Sequence, residues 1–462
     1  MKNIPEFFTS PLFRHSGYTA HIRTKDFAVL FTSLSNTTKS DQLFLEQDNI
    51  IQKQQAYNLN NKDKKTFTMY LVLCDQCNLQ CSYCDVLGKK DHLKNQAYMT
   101  WDTAKIAINE LVKRIKLDPE LNAQIVFFGG EPLLNWSLLT RICEELEKTG
   151  FNNQIEKMLV TNGILLNPEK AVFLKKHNVY VVVSVDGQEE INDKVRCYHD
   201  GTGSFSDVSK GLKYLKDIMP NQYGISCTLG SHNALSLSEE IVYLHEEFKP
   251  CCIGINVFHF QQDGTCPIEI DDKTLCKSLL SSFETARKKG IAIYQFANIL
   301  KSFTTQQRNK DYCPACVNKL LFSPNGRVGR CETLMTDERF SVSLQDFLTK
   351  PLPPKLDWSK YTPEHEPTCF NCIAQWICPG SCAYDQFIST GSLNGVEPRR
   401  CNFHIQFFIE LLTLVLDAML KTNYRKKVYV PLKKHFASVA GNIPTSFPEH
   451  TIFVTGMGSM SD

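Results

Sequence analysis

The 462-residue chain has almost no excess of charge: 51 basic and 49 acidic residues leave a formal net charge of +2. That balance argues against the basic face of a nucleic-acid binder and against an acidic interaction tail. Long uninterrupted apolar runs are also missing. The most apolar stretch, residues 403–420, is broken by His404, Gln406, Glu410 and Asp417. These residues are costly in hydrocarbon, so the stretch reads as a packed helix and no membrane partner is expected. Residues 1–15 hold Lys2, Pro5, Glu6 and Pro11 but no apolar core, so no secretory signal is expected and the chain is placed in the cytoplasm. Residues 52–65 are short of branched apolar side chains and read as a polar linker.

Cysteine, by contrast, is plentiful, with 19 residues. In a reducing compartment these thiols do not pair into disulfides, which points to metal ligation or reactive sulfur. The length suggests two or three units. Residues 1–65 carry two strand-like alternations, 19–23 and 27–32, and read as a small β-rich extension followed by the linker. From Thr66 an apolar run, a loop and a helix-period segment recur. Strands are expected at 66–73, 124–128, 157–161, 179–185, 224–228 and 253–258. Ile108, Leu111, Val112 and Ile115 mark one intervening helix, and Asn167 followed by Pro168 marks the start of another. Six such units over 66–304 imply an α/β fold, a partial (β/α)6 barrel like part of a TIM barrel, with its chemistry at the carboxyl ends of the strands.

Beyond Phe303 the periodicity fades, while cysteine, proline and aromatic residues accumulate, so 305–401 reads as a small cysteine-tethered domain. Within it, residues 350–367 include Pro351, Pro353, Pro354, Pro363 and Pro367 and read as an extended crossing. A C-terminal helix and tail fill 402–462.

Directly after the first expected strand come Cys77, Cys81 and Cys84, embedded in CDQCNLQCSYCDV. Three thiolates on one loop can hold three irons of a cubane cluster and leave the fourth open, as catalysis requires; part of a zinc site is the alternative. Gly129, Gly130, Glu131 and Pro132 follow the second strand, Thr161, Asn162 and Gly163 the third. Ser184, Val185, Asp186 and Gly187 close the fourth, with Arg196 ten residues beyond Asp186, and Asn256 lies in the sixth. Glycine turns and polar strand ends also occur as plain turn-forming devices.

With these features the chain resembles the radical S-adenosylmethionine (SAM) enzymes, which carry this three-cysteine spacing, often with an aromatic residue before the last cysteine, as Tyr83 is here. The resemblance implies a 4Fe-4S cluster on Cys77, Cys81 and Cys84. It also implies SAM contacts from Tyr83, Gly129, Gly130, Glu131, Pro132, Asn162, Ser184, Asp186 and Arg196, the glycine turn facing the methionine end. The implied chemistry is reductive cleavage of SAM to a 5′-deoxyadenosyl radical that removes hydrogen from a substrate, fed by a reduced flavodoxin- or ferredoxin-type electron donor.

Cys316, Gly326, Cys331, Cys369, Cys372, Cys378, Cys382 and Cys401 follow the order of the SPASM extension of that family. The resemblance implies two auxiliary 4Fe-4S clusters, the inner on Cys313, Cys316, Cys331 and Cys382, the outer on Cys369, Cys372, Cys378 and Cys401. If Cys313 points elsewhere, the inner cluster keeps an open iron. A pair of zinc ribbons is the alternative. Glu332 follows Cys331 where the related sulfatase-maturing enzymes carry an aspartate proposed as a proton acceptor, making it a candidate catalytic residue or a solvated glutamate. The remaining cysteines, Cys74, Cys143, Cys197, Cys227, Cys251, Cys252, Cys266 and Cys276, read as small apolar fillers, with a thiol hydrogen donor as the alternative for Cys74, Cys197 and Cys227, which lie near expected strand ends or the Arg196 segment.

Two functions follow. The first is a maturase that installs a thioether, a carbon–carbon crosslink or a related oxidation in a ribosomally made precursor peptide. The alternative is an anaerobic sulfatase-type maturase that oxidises serine or cysteine of a protein to formylglycine. A metal-stabilised binding module without catalysis is disfavoured by the intact cysteine loop.

Overall fold

Apolar runs long enough to be buried on both faces make the central strands of this protein, and the alternation with helices makes them parallel. The computed structural model describes residues 66–84, 97–261, 264–296, 318–349, 365–375 and 382–421, five isolated positions between 315 and 380, and the backbone of three N-terminal strands. The linker at 52–65, most of the 350–367 crossing, Cys313, Cys316 and the tail beyond 421 lie outside the described residues.

The N-terminal strands, β1 (Phe7–His15), β2 (Tyr18–Arg23) and β3 (Ala28–Ser33), pair antiparallel in chain order, where two β-like runs were expected. The main sheet begins with β4 (Thr66–Val72), every residue of which is buried. It continues through β5 (Asn122–Phe128), β6 (Ile155–Thr161), β7 (Val179–Ser184), β8 (Tyr223–Leu229) and β9 (Ile253–Val257), each parallel to the one before. These are the six strands expected from the sequence, with ends moved by one or two residues.

Between β4 and β5 runs α1 (Trp101–Leu117). The Thr100 hydroxyl accepts from the Thr103 amide at 3.3 Å, and Ala104, Ala107, Ile108, Leu111 and Ile115 turn one face into the core. Further round, α2 (Trp136–Lys148) and α3 (Pro168–Lys176) cover the sheet, the latter started by Asn167, whose side chain accepts from the Lys170 amide at 2.8 Å. The sequence placed that cap and its proline correctly. Three more helices, α4 (Phe205–Ile218), α5 (Leu237–Phe248) and α6 (Asp272–Lys289), complete the alternation.

The sheet does not stop at β4. On its outer side β10 (Lys319–Phe322) pairs parallel with β4, followed by antiparallel β11 (Arg327–Gly329) and β12 (Ser341–Ser343), giving nine strands. The cysteine-rich region therefore shares the sheet of the strand-helix units. Strands of three and four residues are too short to carry a periodic signal in sequence.

Two late helices, α7 (Ala383–Thr390) and α8 (Pro398–Lys421), close the described chain. The stretch read as a packed helix is α8, which lies against α6 with Phe403, Phe407, Phe408, Leu411, Leu412 and Leu416 buried. Among the described residues no helix is long and apolar enough to cross a membrane.

Packing α8 traps His404 with a ring nitrogen, Nε2, buried. Burial, and then the nearby Arg400, push the imidazole down to about 3. An unfolded histidine titrates near pH ~6.5, so below that value the unfolded chain holds a proton that the fold excludes. Stability from this site is therefore complete above pH ~6.5 and falls by about 1.4 kcal/mol per unit as the pH drops. Denaturant unfolding at neutral pH and near pH ~5 should register the loss, and His404→Phe should remove most of it. Unchanged acid sensitivity in the variant would refute this assignment.

Candidate functional site

The carboxyl ends of β4 to β9 converge on a cavity of about 210 Å³. Cys77, Cys81 and Cys84 line it from the loop after β4, together with Tyr83. That loop is fastened to the segment before α4: the Gln80 amide donates to the Cys197 carbonyl and the Ser82 amide to the Val195 carbonyl, both at 2.8 Å. Burial raises the Cys77 and Cys81 thiols above their usual range, and Glu131 and then the neighbouring thiols push Cys77 further. Three thiolates here need a cation between them, and iron fits that donor set; the residues match a cluster with one open position.

The turn after β5 packs directly under the cysteine loop. Gly129 has φ +144°, and a Cβ there would lie 2.3 Å from the Cys74 carbonyl oxygen; at Gly130 it would lie 2.1 Å from that of Gln76. Both are backbone contacts that cannot yield, so only glycine allows this approach. Both glycines line the cavity, whereas Glu131 and Pro132 are buried beside it. The Glu131 carboxylate ties strand ends together: it accepts from the Thr161 hydroxyl at 2.7 Å, the Asn162 amide at 2.8 Å and the Leu133 amide at 3.0 Å. Burial raises its carboxyl, and these donors oppose the rise. Asn162 does reach the cavity, with Nδ2 2.7 Å from Asn78 Oδ1 and 3.7 Å from Cys77 Sγ.

Ser184 and Arg196 also line the cavity; Asp186 lies behind them, fully buried. Its carboxylate accepts from the Tyr83 hydroxyl at 2.5 Å, from Arg196 Nε at 2.9 Å and Nη2 at 3.3 Å, and from the Thr228 amide at 2.8 Å. His232 Nε2 stands 3.7 Å from it, its ring stacked on Tyr83. Burial drives the Asp186 carboxyl up, but Arg196 and the other donors hold it well below the usual range. Arg196 in turn places Nη1 3.9 Å from Cys81 Sγ. Tyr83, Asp186 and Arg196 thus form one clamp on the cysteine loop.

Further lining comes from β9 and the cysteine-rich region: Asn256, His259, Cys331, Glu332 and Cys382. Asn256 is held by Ser226 Oγ at 2.8 Å and Gln295 Nε2 at 3.2 Å. Glu332 pairs with Lys319 Nζ at 2.6 Å, and that ammonium sits 3.7 Å above the Tyr70 ring. Burial raises the Glu332 carboxyl, Lys319 lowers it, and the net direction is down. Neither Lys319 nor the His259–Asp385–Arg400 group is identified by sequence reasoning, because the partners are far apart in the chain and no spacing links them. Farther from the cavity, Cys369, Cys372, Cys378 and Cys401 lie near one another: burial and then Cys369 and Cys372 push the Cys401 thiol up to about 12. Of the remaining cysteines, Cys74, Cys143, Cys227, Cys252 and Cys276 are buried and Cys197, Cys251 and Cys266 are half-buried.

The model of the radical SAM superfamily matches residues 71–233. An uncharacterized protein of Methanocaldococcus jannaschii is 31% identical over 269 residues, 58% of this chain and 85% of its own length. The radical SAM cyclopropyl synthase TigE of Paramaledivibacter caminithermalis is 26% identical over 68% of this chain and 66% of its own. A cysteine-type anaerobic sulfatase-maturating enzyme of Clostridium perfringens is 23% identical over 66% of this chain and 85% of its own. Among solved structures, native anSMEcpe with bound AdoMet and the Cp18Cys peptide superposes with a TM-score of 0.63 at 19% identity, covering 78% of this chain and 100% of that one, which is a likeness of fold.

Proposed function

This chain belongs to the radical SAM superfamily, and from that premise we propose that it modifies a ribosomally made peptide, using one SAM-binding 4Fe-4S cluster and two auxiliary clusters. The observation that carries this reading is a shared cavity, lined both by the Cys77–Cys81–Cys84 loop and by Cys331, Glu332 and Cys382. A site that must both start a radical and drain an electron from its substrate needs the two ends in one water-poor space.

Cys77, Cys81 and Cys84 would hold the first cluster and leave one iron for SAM, which when bound supplies a 5′-deoxyadenosyl radical. Tyr83, Gly129, Gly130, Asn162, Ser184 and Arg196 would face SAM directly; Glu131, Pro132 and Asp186 would shape their backbone from behind. Cys331 and Cys382, with Cys313 and Cys316, would hold the inner auxiliary cluster, and Cys369, Cys372, Cys378 and Cys401 the outer. In this reading 66–304 is the catalytic unit, 305–401 the SPASM unit, 1–65 an extension able to hold a leader segment, and 402–462 a closing helix and tail. A flavodoxin- or ferredoxin-type donor in the cytoplasm would supply the electron.

The peptide substrate is supported by the peptide in the anSMEcpe structure. Glu332 would take the substrate proton, since Lys319 keeps it ionised and it opens on the cavity. Glu332→Gln should cut peptide product formation by roughly 10²–10⁴-fold. Release of 5′-deoxyadenosine should continue, which separates proton removal from radical initiation; a variant with normal product yield would remove Glu332 from the mechanism.

A second reading, formylglycine formation in a sulfatase-type protein, is favoured by the carboxylate directly after Cys331 and by the Clostridium perfringens relative. Mass spectrometry after anaerobic co-expression decides between them. A mass loss without a reactive carbonyl, mapped to a crosslink in a candidate peptide, supports the first; a hydrazide-trapped aldehyde supports the second.

A further inference from the structure

Beside the cysteine loop, the cavity is lined by His259 just after β9 and by Cys331 and Cys382. His259 Nδ1 lies 3.0 and 3.1 Å from the two oxygens of Asp385. Asp385 is fully buried and is gripped from Arg400, with Nε at 3.0 Å and Nη2 at 2.9 Å. Arg400 is fixed in turn: its guanidinium donates to the Phe258 carbonyl, and its amide donates to Glu397 at 2.7 Å.

This chain of contacts sets the imidazole. A carboxylate that accepts from Nδ1–H selects the tautomer with a lone pair on Nε2, the arrangement that metal-binding histidines carry as their outer support. Asp385 does not line the cavity, and its oxygens are already used by His259 and Arg400. Donor atoms of His259, Cys382 and Asp385 all lie within 4.8 Å of one another. Among the described residues, the metal donors that line the cavity here are the His259 imidazole and the Cys382 and Cys331 sulfurs.

We propose that His259 is an iron ligand, through Nε2, of the auxiliary cluster that Cys331 and Cys382 hold, with Asp385 and Arg400 as its positioning residues. The inference rests on the reading above that such a cluster occupies this wall. It gives to an imidazole the position that the sequence offers to Cys313. A neutral ligand in place of a thiolate makes the cluster less negative and raises its reduction potential, as in other histidine-ligated clusters. The cluster at the substrate end thereby becomes the better electron acceptor.

The test uses the full chain, reconstituted anaerobically with iron and sulfide, with Cys81→Ala introduced to remove the first cluster's signal. After reduction, pulsed EPR on protein labelled with ¹⁵N-histidine should detect a strongly coupled nitrogen that changes with the isotope. That coupling should vanish in His259→Ala and persist in Cys313→Ala. In His259→Cys, which keeps a ligand and guards against simple misfolding, it should vanish while the auxiliary potential falls. A coupling of only hydrogen-bond strength, one that survives His259→Ala, or one that is lost in Cys313→Ala overturns the proposal. Failure of the underlying reading looks different: the unsubstituted protein would then bind only about four irons in place of about twelve.

Discussion

Replacing Cys77, Cys81 or Cys84 by alanine is expected to reduce 5′-deoxyadenosine release to background while about two thirds of the iron stays bound. Each of these thiols lines the cavity, and each would hold one iron of the cluster whose open position takes SAM. Removing one leaves two thiolates, too few to fix the geometry in which the open iron meets SAM. The other cysteine groups are on separate elements and, as the auxiliary sites of the proposed reading, would keep their own metal. Cys74→Ala is the internal control. Its thiol is buried, donates to the Glu131 carbonyl at 3.1 Å and is pushed up to about 12 by burial, so it is a packing group. That variant should cleave SAM, at a stability cost of about 1–2 kcal/mol. Anaerobic cleavage assays beside iron analysis check both. Persistent cleavage in any of the three loop variants would remove the cluster assignment.

Much of this was legible in the chain because the signals are local. Apolar runs of five to seven residues, alternating with helix-period segments, gave the six strands from β4 to β9 almost to the residue. The Asn167–Pro168 cap was readable for the same reason. Cysteine spacing located the loop after β4, and the glycines of the second turn marked where backbone must approach backbone. What escaped depends on distance in the chain. β10 has four residues, yet it carries Lys319 into the sheet and against Glu332, and nothing in KLLF announces that. His259, Asp385 and Arg400 come from β9's end, α7 and α8, so their meeting is a product of how the cysteine-rich region docks.

Glu131 and Asp186 were singled out as cofactor contacts; the structure gives Glu131 three donors and Asp186 four from the protein itself. A buried carboxylate that accepts several hydrogen bonds from its neighbours costs little and holds its surroundings rigidly. Both therefore act on backbone and side chains that reach the cavity. Rigidity of this kind suits a site that must keep a reactive radical from water and from its own protein.

The second large effect is expected at Asp186. Asp186→Asn preserves shape but leaves the buried Arg196 guanidinium without its counter-charge, and the loss should be about 3–5 kcal/mol of stability. The carboxylate serves Tyr83, both faces of the Arg196 fork and the Thr228 amide, so no single replacement contact compensates. Arg196→Met in the same chain removes the stranded cation, and the double variant should recover most of the deficit, with a coupling of at least ~1 kcal/mol in the cycle. The pH dependence has a defined sign. A carboxyl held below its unfolded value contributes in full above the ordinary carboxylate range, near pH ~4, and loses its contribution only as the pH falls below that. Between neutral pH and pH ~5 the gap between the parent and Asp186→Asn should therefore stay constant. Denaturant midpoints on protein matched for iron content measure it. A deficit under about 1 kcal/mol, or a double variant no better than the single, would mean that Arg196 finds another partner and that the clamp on the cysteine loop is not electrostatic. Arg196 Nη1 reaches to 3.9 Å from Cys81 Sγ, so loosening the clamp moves a positive charge beside the sulfur of the first cluster site, and SAM cleavage should fall along with stability.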